Sequence, residues 1–230
     1  MNIINMFLDR LKKNGSAEET VVPPRSPRPV GPVKMIVIAD LHMCFFEDSQ
    51  IIQSVLETKK YDCVLFLGDI FASDIKKFVS CAGGRPCLYV LGNHDEWQQN
   101  YDIDGLTDLD GDVVEICGVR IGGVSGAPRY KQDPNLCMRS EEEVANALRS
   151  LGAVDILVSH ESPYHLLNKN FAHGGFQAIT DYLRQYDVPL HIFGHHHINY
   201  DEVVDGTREV CVYGCSAVKT RPFSVVSLHI

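Results

Sequence analysis

The chain has 230 residues and a formal net charge of −9 at pH 7. Hydrophobic residues make up 45% and charged residues 22%, which is ordinary for a folded protein of this size. The acidic balance argues against stable binding of a nucleic-acid duplex, because proteins that bind duplexes usually carry a basic face. No apolar run reaches the roughly 18 residues that a membrane span needs, so we expect no transmembrane segment.

Cysteine usage and the N-terminus both bear on location. The eight cysteines form no CxxC pair, and several lie in apolar runs, so we expect mostly reduced, buried thiols. Cys211 and Cys215 lack the partner ligands of a zinc site. The N-terminus has neither the basic region nor the cleavage site of a signal peptide. We therefore expect a cytoplasmic protein.

Three regions are expected along the chain. Residues 1–13 have apolar residues at helical spacing and predict a short amphipathic helix. Residues 14–32 are rich in proline and small polar residues, which is typical of a linker. A single folded domain is expected over 33–230.

Strand-like and helix-like stretches alternate through this domain. Buried strands are predicted by the runs KMIVIAD, YDCVLFLGD, PCLYVLGNHD, VDILVSH and PLHIFGHHH. Helices are predicted over 48–59, 74–81, 141–151 and 175–186; Ser140 and Glu143 are spaced as a capping box for the third. DVVEI and VRIGGVSG predict a hairpin, and two or three more strands follow residue 202. The pattern indicates parallel strands with helices outside them, and hairpins that add an antiparallel sheet.

Polar residues follow five of the predicted strands, at the point where each strand ends. The endings are Asp40-x-His42, Gly68-Asp69, Gly92-Asn93-His94-Asp95, His160 and Gly194-His195-x-His197. Because sites in open α/β sheets gather at the carboxyl ends of strands, these side chains should converge on one place. Core packing does not explain five such endings in succession. The pattern therefore predicts a metal site.

The order of these motifs resembles that of the calcineurin-like metallophosphoesterase superfamily, and the resemblance runs from about residue 34 to residue 215. It implies an α/β fold: a four-layer αββα sandwich of two mixed β-sheets flanked by helices. It also implies two divalent metal ions that share the Asp69 carboxylate. The implied ligand sets are Asp40, His42, Asp69 and His197 for one ion, and Asp69, Asn93, His160 and His195 for the other.

Such a site has a clear chemistry. Two cations about 3.5–4 Å apart need a shared carboxylate to offset their repulsion, and they can provide a hydroxide that attacks phosphorus. Mixed Asp, Asn and His ligation suits Mn, Fe, Zn, Co or Ni better than Ca, without choosing among them. We therefore expect a metal-dependent phosphoric ester hydrolase.

Other residues are assigned from their place beside the motifs. His94 follows a ligand and is expected to protonate the leaving oxygen, and Asp95 is expected to orient its ring. By the resemblance, His173 and Arg129, with Tyr130 as an alternative to Arg129, line the substrate pocket. His196 lies between two ligands and is expected to face solvent.

The substrate class is narrowed by a departure from one branch of the superfamily. Serine/threonine protein phosphatases carry G-D-x-V-D-R-G, with an arginine that clamps phosphate, whereas this chain reads G-D-I-F-A-S-D. The missing arginine argues against a protein phosphatase and favours diesters, with a small phosphate ester or nucleotide as substrate. A phosphomonoesterase, a single-strand nuclease and a non-catalytic scaffold of the same fold remain alternatives. Oligomeric state is not predicted.

Overall fold

The structure is a computed structural model, and it describes residues 33–42, 56, 61–97, 101–164 and 173–213. The expected N-terminal helix and the linker lie outside these residues, and so does the predicted helix over 48–59, apart from Leu56. The extent of the folded domain therefore stays a prediction.

A first sheet contains four described strands, all parallel and in sequence order. They are β1 (Met35–Ile38), β2 (Cys63–Phe66), β3 (Cys87–Tyr89) and β4 (Leu106–Asp108). The first three are buried along their whole length, which explains why they appear in the sequence as continuous apolar runs. The fourth is short and partly exposed, and the sequence does not predict it.

Eight further strands follow along the described part of the chain. They are β5 (Val113–Ile116), β6 (Val119–Val124), β7 (Ala127–Pro128), β8 (Met138–Arg139), β9 (Ile156–Ser159), β10 (Leu190–Phe193), β11 (Tyr200–Val204) and β12 (Thr207–Cys211). Six of them form a mixed sheet in the order β11-β12-β10-β9-β6-β5, and β7 pairs with β8. The predicted hairpin is present as β5 and β6. Among the described residues, however, the hairpins lie at the edges of the mixed sheet and form no separate antiparallel sheet.

Three helices are described: α1 (Ala72–Cys81), α2 (Glu141–Leu151) and α3 (Gln177–Tyr186). All three lie where the sequence predicts helices. The capping box of α2 is confirmed, because the Ser140 hydroxyl accepts from the Glu143 N–H and the Glu143 carboxylate accepts from the Ser140 N–H. Within the described residues, none of the helices is long and apolar enough to cross a membrane.

The layers of the fold follow from how the side chains of each strand are distributed between the two faces of its sheet. Successive residues of a strand point to opposite faces, so Met35 and Val37 enter a core between the two sheets. Ile36 and Ile38 pack on the other face, in the core that also holds Phe78 of α1. A third core lies between the mixed sheet and helices α2 and α3. The expected four-layer αββα sandwich is therefore confirmed.

The cysteines fit this packing. All six described cysteines are free, and four of them are buried: Cys63, Cys87, Cys137 and Cys211. Cys117 is exposed in the turn between β5 and β6.

One contact fixes α3 to α2. The carboxylate of Glu141, at the start of α2, accepts the backbone N–H groups of Gln177 and Ala178 at 3.0 Å each. These N–H groups have no partner within their own helix, because they belong to its first turn. Glu141 therefore caps the neighbouring helix and anchors the chain that arrives from His173.

Replacing Glu141 tests this cap. We expect Glu141→Ala to lower the free energy of unfolding by about 1 kcal/mol, as for loss of a helix N-cap. Glu142→Ala is the matched control, because Glu142 is exposed in the same turn of α2. Urea denaturation of both variants measures the difference, and equal losses would mean that Glu141 acts only within its own helix.

Candidate metal centre

The candidate centre lies where the carboxyl ends of the two sheets meet. His160 follows β9, and its Nδ1 lies 2.7 Å from the carbonyl oxygen of Leu67, which follows β2. His195 follows β10, and its backbone N–H donates to Asp40 Oδ2 at 2.9 Å, beyond β1. These contacts cross from one sheet to the other, so the loops after the strands form one continuous site.

Six of the seven predicted ligands form two groups. Within each group, the candidate ligand atoms lie within 4.8 Å of one another. The first group contains Asp40, His42 and His197, and the second contains Asp69, His160 and His195. Asn93 joins the second group, because its Oδ1 lies 3.1 Å from His160 Nε2. The structure therefore brings all seven residues together in the grouping that the resemblance implies.

Pairs of imidazole nitrogens approach closely within each group. His42 Nε2 lies 2.9 Å from His197 Nε2, and His160 Nε2 lies 3.1 Å from His195 Nδ1. A carbonyl oxygen only accepts hydrogen bonds, so the His160 contact with Leu67 puts the proton on Nδ1 and leaves a lone pair on Nε2. That lone pair points into the second group.

The carboxylate of Asp69 lies between the groups. Its Oδ2 is 3.8 Å from His42 Nδ1 and 3.6 Å from His160 Nε2. Its Oδ1 accepts the backbone N–H of His94 at 2.8 Å. One carboxylate thus contacts an imidazole of each group while the following loop holds it in place.

Strained backbone is concentrated at these residues. Five of the seven candidate ligands have a positive φ between 46° and 67°: Asp40, His42, Asp69, His195 and His197. Asp and His tolerate this region better than most side chains, yet it still costs roughly 1–3 kcal/mol per residue. The surrounding sheets must hold these loops against their intrinsic preference, as is typical of functional sites.

Two glycines allow the loops to touch. A Cβ atom at Gly68 would overlap the backbone of Gly92, and a Cβ at Gly92 would overlap the Asp69 side chain. Glycine therefore precedes Asp69 and Asn93 because these two strand ends approach too closely for any side chain.

The electrostatics of the centre favour bound cations. Burial raises the pKa of Asp40 well above its usual value, and the nearby Asp69 carboxylate raises it further. Burial also lowers the pKa of His160 to about 3, so this imidazole is neutral and has a lone pair to give. Asp40 Oδ1 is buried without a hydrogen-bond partner among the described residues. A cation would satisfy this oxygen, and the Asp, Asn and His donors suit a transition metal.

The two residues expected at the proton-handling position have different surroundings. His94 is exposed, and its ring lies 5.5 Å from that of His42 in an edge-on arrangement. Asp95 is buried, and its Oδ2 accepts the backbone N–H groups of Asp69 and Gly92 at 2.8 Å each. These two bonds tie two strand-end loops together, and the expected role of Asp95 in orienting the His94 ring stays a prediction.

The residues expected to line the substrate pocket differ in how close they lie to the two ligand groups. The ring of His173 lies 4.4 Å from that of His195, directly beside the second group. Arg129 donates to Glu143 at 2.9 Å and to the carbonyl of Met138, so its described contacts lead away from the groups. Tyr130 is the neighbour that reaches the site, because its hydroxyl accepts from Asn93 Nδ2 at 2.8 Å.

The expectation for His196 is wrong, and one neighbouring residue is missed entirely. Only 5% of the His196 side chain is exposed, and its Nε2 lies 3.0 Å from Glu161 Oε1. Glu161 is fully buried and also approaches His195. A buried carboxylate needs partners, and this need draws His196 inward. The adjacency of Glu161 to His160 was the available signal in the sequence.

Comparisons with known proteins agree with this geometry. Residues 33–199 match the calcineurin-like phosphoesterase family. The fold resembles that of TT1561 from Thermus thermophilus, with a TM-score of 0.59, 13% identity, and coverage of 78% of this chain and 88% of that one. It also resembles phosphopantetheinyl hydrolase from Mycobacterium tuberculosis, with a TM-score of 0.54, 17% identity, and coverage of 80% and 90%. The comparison with curated proteins finds no match. The family match covers well over half of the sequence, and the chain belongs to the calcineurin-like phosphoesterase family.

Proposed function

We propose that the chain hydrolyses phosphate diesters with the help of two divalent transition-metal ions. The observation that carries this proposal is the pair of ligand groups that meet at the Asp69 carboxylate. When bound, two such ions supply a hydroxide nucleophile near neutral pH and neutralise charge on the phosphate. The substrate is a small phosphate ester or nucleotide, and we expect the reaction in the cytoplasm.

The proposed ligands are divided between two ions. One set is Asp40, His42, Asp69 and His197, and the other is Asp69, Asn93, His160 and His195. Mn, Fe, Zn, Co and Ni all suit these donors. The grouping of the candidate ligand atoms supports this division.

His94 is proposed to assist the leaving group. Its ring is exposed beside His42, while its backbone N–H is bonded to Asp69. An imidazole held next to the reacting phosphate can protonate the departing oxygen near pH 7. His173, beside His195, is proposed to contact the substrate.

Asn93 is proposed to bind through its carbonyl oxygen. The amide nitrogen donates to the Tyr130 hydroxyl, which leaves Oδ1 directed toward His160 Nε2. This hydrogen bond supports the Asn93 side chain with Oδ1 facing the second group.

The preference for diesters depends on the residue at the clamp position. Ser73 stands where protein phosphatases of the superfamily have the phosphate-clamping arginine. A phosphomonoester carries more negative charge than a diester and gains more from such a clamp. The absence of arginine there favours the diester.

A pair of chromogenic substrates tests the reaction. Purified protein given Mn²⁺ or Ni²⁺ should hydrolyse bis(p-nitrophenyl) phosphate with a higher kcat/KM than p-nitrophenyl phosphate. Higher activity on the monoester would reverse the assigned preference. Metal-loaded protein that hydrolyses neither compound would contradict an enzymatic function.

Two variants separate proton transfer from metal binding. We expect His94→Ala to keep both ions and to lose roughly 10²–10⁴ in kcat, as for a lost general acid. Asp69→Asn should instead lose metal, because the shared carboxylate loses its charge. Metal content measured by elemental analysis, alongside kcat, distinguishes the two, and the opposite pattern would disprove the assignment of roles.

A third variant tests the orientation of Asn93. Tyr130→Phe removes the acceptor for the amide nitrogen, and we expect metal affinity to fall by about tenfold, as for other residues that orient a ligand. Tyr186→Phe, on α3, serves as a control for loss of a tyrosine hydroxyl. Calorimetric metal titration compares the variants, and unchanged affinity in Tyr130→Phe would remove its assigned role.

A further inference from the structure

Glu161 is a buried charge that the proposed reaction does not use. It follows His160 at the end of β9, and none of its surface is exposed. A carboxylate in such a place is costly unless hydrogen bonds or positive charge compensate it. Its contacts therefore indicate what it does.

One oxygen of this carboxylate makes three polar contacts, two with Ser162 and one with His196. Glu161 Oε1 accepts the backbone N–H of Ser162 at 2.8 Å and the Ser162 hydroxyl at 3.1 Å. His196 Nε2 lies 3.0 Å from the same oxygen. These contacts hold the carboxylate in one orientation.

The other oxygen faces a candidate metal ligand. Glu161 Oε2 lies 3.5 Å from His195 Nε2, and it is buried with no hydrogen-bond partner in the described part of the chain. On the other side of the same ring, His195 Nδ1 lies 3.1 Å from His160 Nε2. The ring therefore has one nitrogen toward the second group and the other toward Glu161.

We propose that Glu161 is a positioning residue for His195, an inference that rests on the proposed two-metal function. The carboxylate accepts a hydrogen bond from the Nε2–H, which keeps the proton on Nε2 and leaves the lone pair on Nδ1 for the metal. A carboxylate behind a histidine ligand also makes the imidazole a stronger donor. His196 fixes the carboxylate and is buried for that reason.

The first group is held differently. His197 has 46% of its side chain exposed, and its ring stacks on Tyr213 at 4.8 Å between centroids. Glu161 contacts a histidine of the second group, so its effect should concern one of the two bound ions.

Metal titration of the full chain tests this role. Metal-free protein is titrated with Mn²⁺ by calorimetry, which gives the number of ions and their affinities. We expect Glu161→Gln to bind two ions, with the affinity for one of them about 10- to 100-fold weaker. Its kcat should recover as Mn²⁺ is raised, which a general loss of folding would not allow. Glu209→Gln is the matched control, because Glu209 is similarly buried and lies on β12, in the sheet that contains β9.

A second variant covers the case in which the neutral amide prevents folding. Glu161→Asp keeps the buried charge and withdraws it from His195, so it should also weaken the affinity for one ion. The role of Glu161 is disproved if every Glu161 variant that folds binds two ions with the affinities of the wild type. It is also disproved if Glu209→Gln weakens the affinity for Mn²⁺ as much as Glu161→Gln does. Wild-type protein that binds no Mn²⁺ would overturn the proposed function as well, so the two failures are distinguishable.

Discussion

A cluster of buried carboxyl groups at the junction of the two sheets is the constraint on which the site depends. Four carboxylates lie there with almost no exposed surface: Asp40, Asp69, Asp95 and Glu161. Burial raises the pKa of Asp95 to about 8, and the neighbouring Asp69 carboxylate contributes to that shift. Asp95 is compensated by backbone N–H groups and Glu161 by Ser162 and His196, whereas Asp40 keeps a buried oxygen without a hydrogen bond among the described residues. The oxygen that lacks a hydrogen bond therefore lies in a candidate ligand group, and cations there would stabilise the fold as well as the reaction.

The scaffold must hold these carboxyl groups close together against both their mutual repulsion and the strain of the backbone. Short side chains converge on one point only if the chain turns sharply after each strand, which explains the positive φ of Asp69 and His195. The strands before them are buried on both faces and paired on both sides, so they are stiff enough to impose that turn. The sandwich is in this sense a support for three strained loops, those after β1, β2 and β10, and the packing of its cores is what maintains the strain.

The sequence predicts the features that follow from regular alternation and fails where the chain leaves it. Apolar runs that end in polar residues predict β1, β2, β3, β9 and β10, and with them the candidate ligands. The orientation of His196 is predicted wrongly because the residues on both sides of it have positive φ, so the period of two that holds along a strand does not apply. The contacts that Asp95 makes between two loops are not predicted, because its partners there are backbone N–H groups, which leave no trace in the pattern of side chains. The place of each hairpin within a sheet depends on pairing between distant segments, and composition does not specify it.

The two candidate ligand groups are not equivalent, and this difference has a consequence for how a substrate approaches. The second group is enclosed, since His160 is fully buried and His195 has 4% of its surface exposed. The first group reaches the surface through His42 and His197, whose side chains are 23% and 46% exposed. Under the proposed function, a phosphate ester in solution would meet the first group and His94 before it contacts the second. If the proposed function is right, selectivity among esters should then depend on the residues around that opening, and the buried group should act mainly to hold a metal in place.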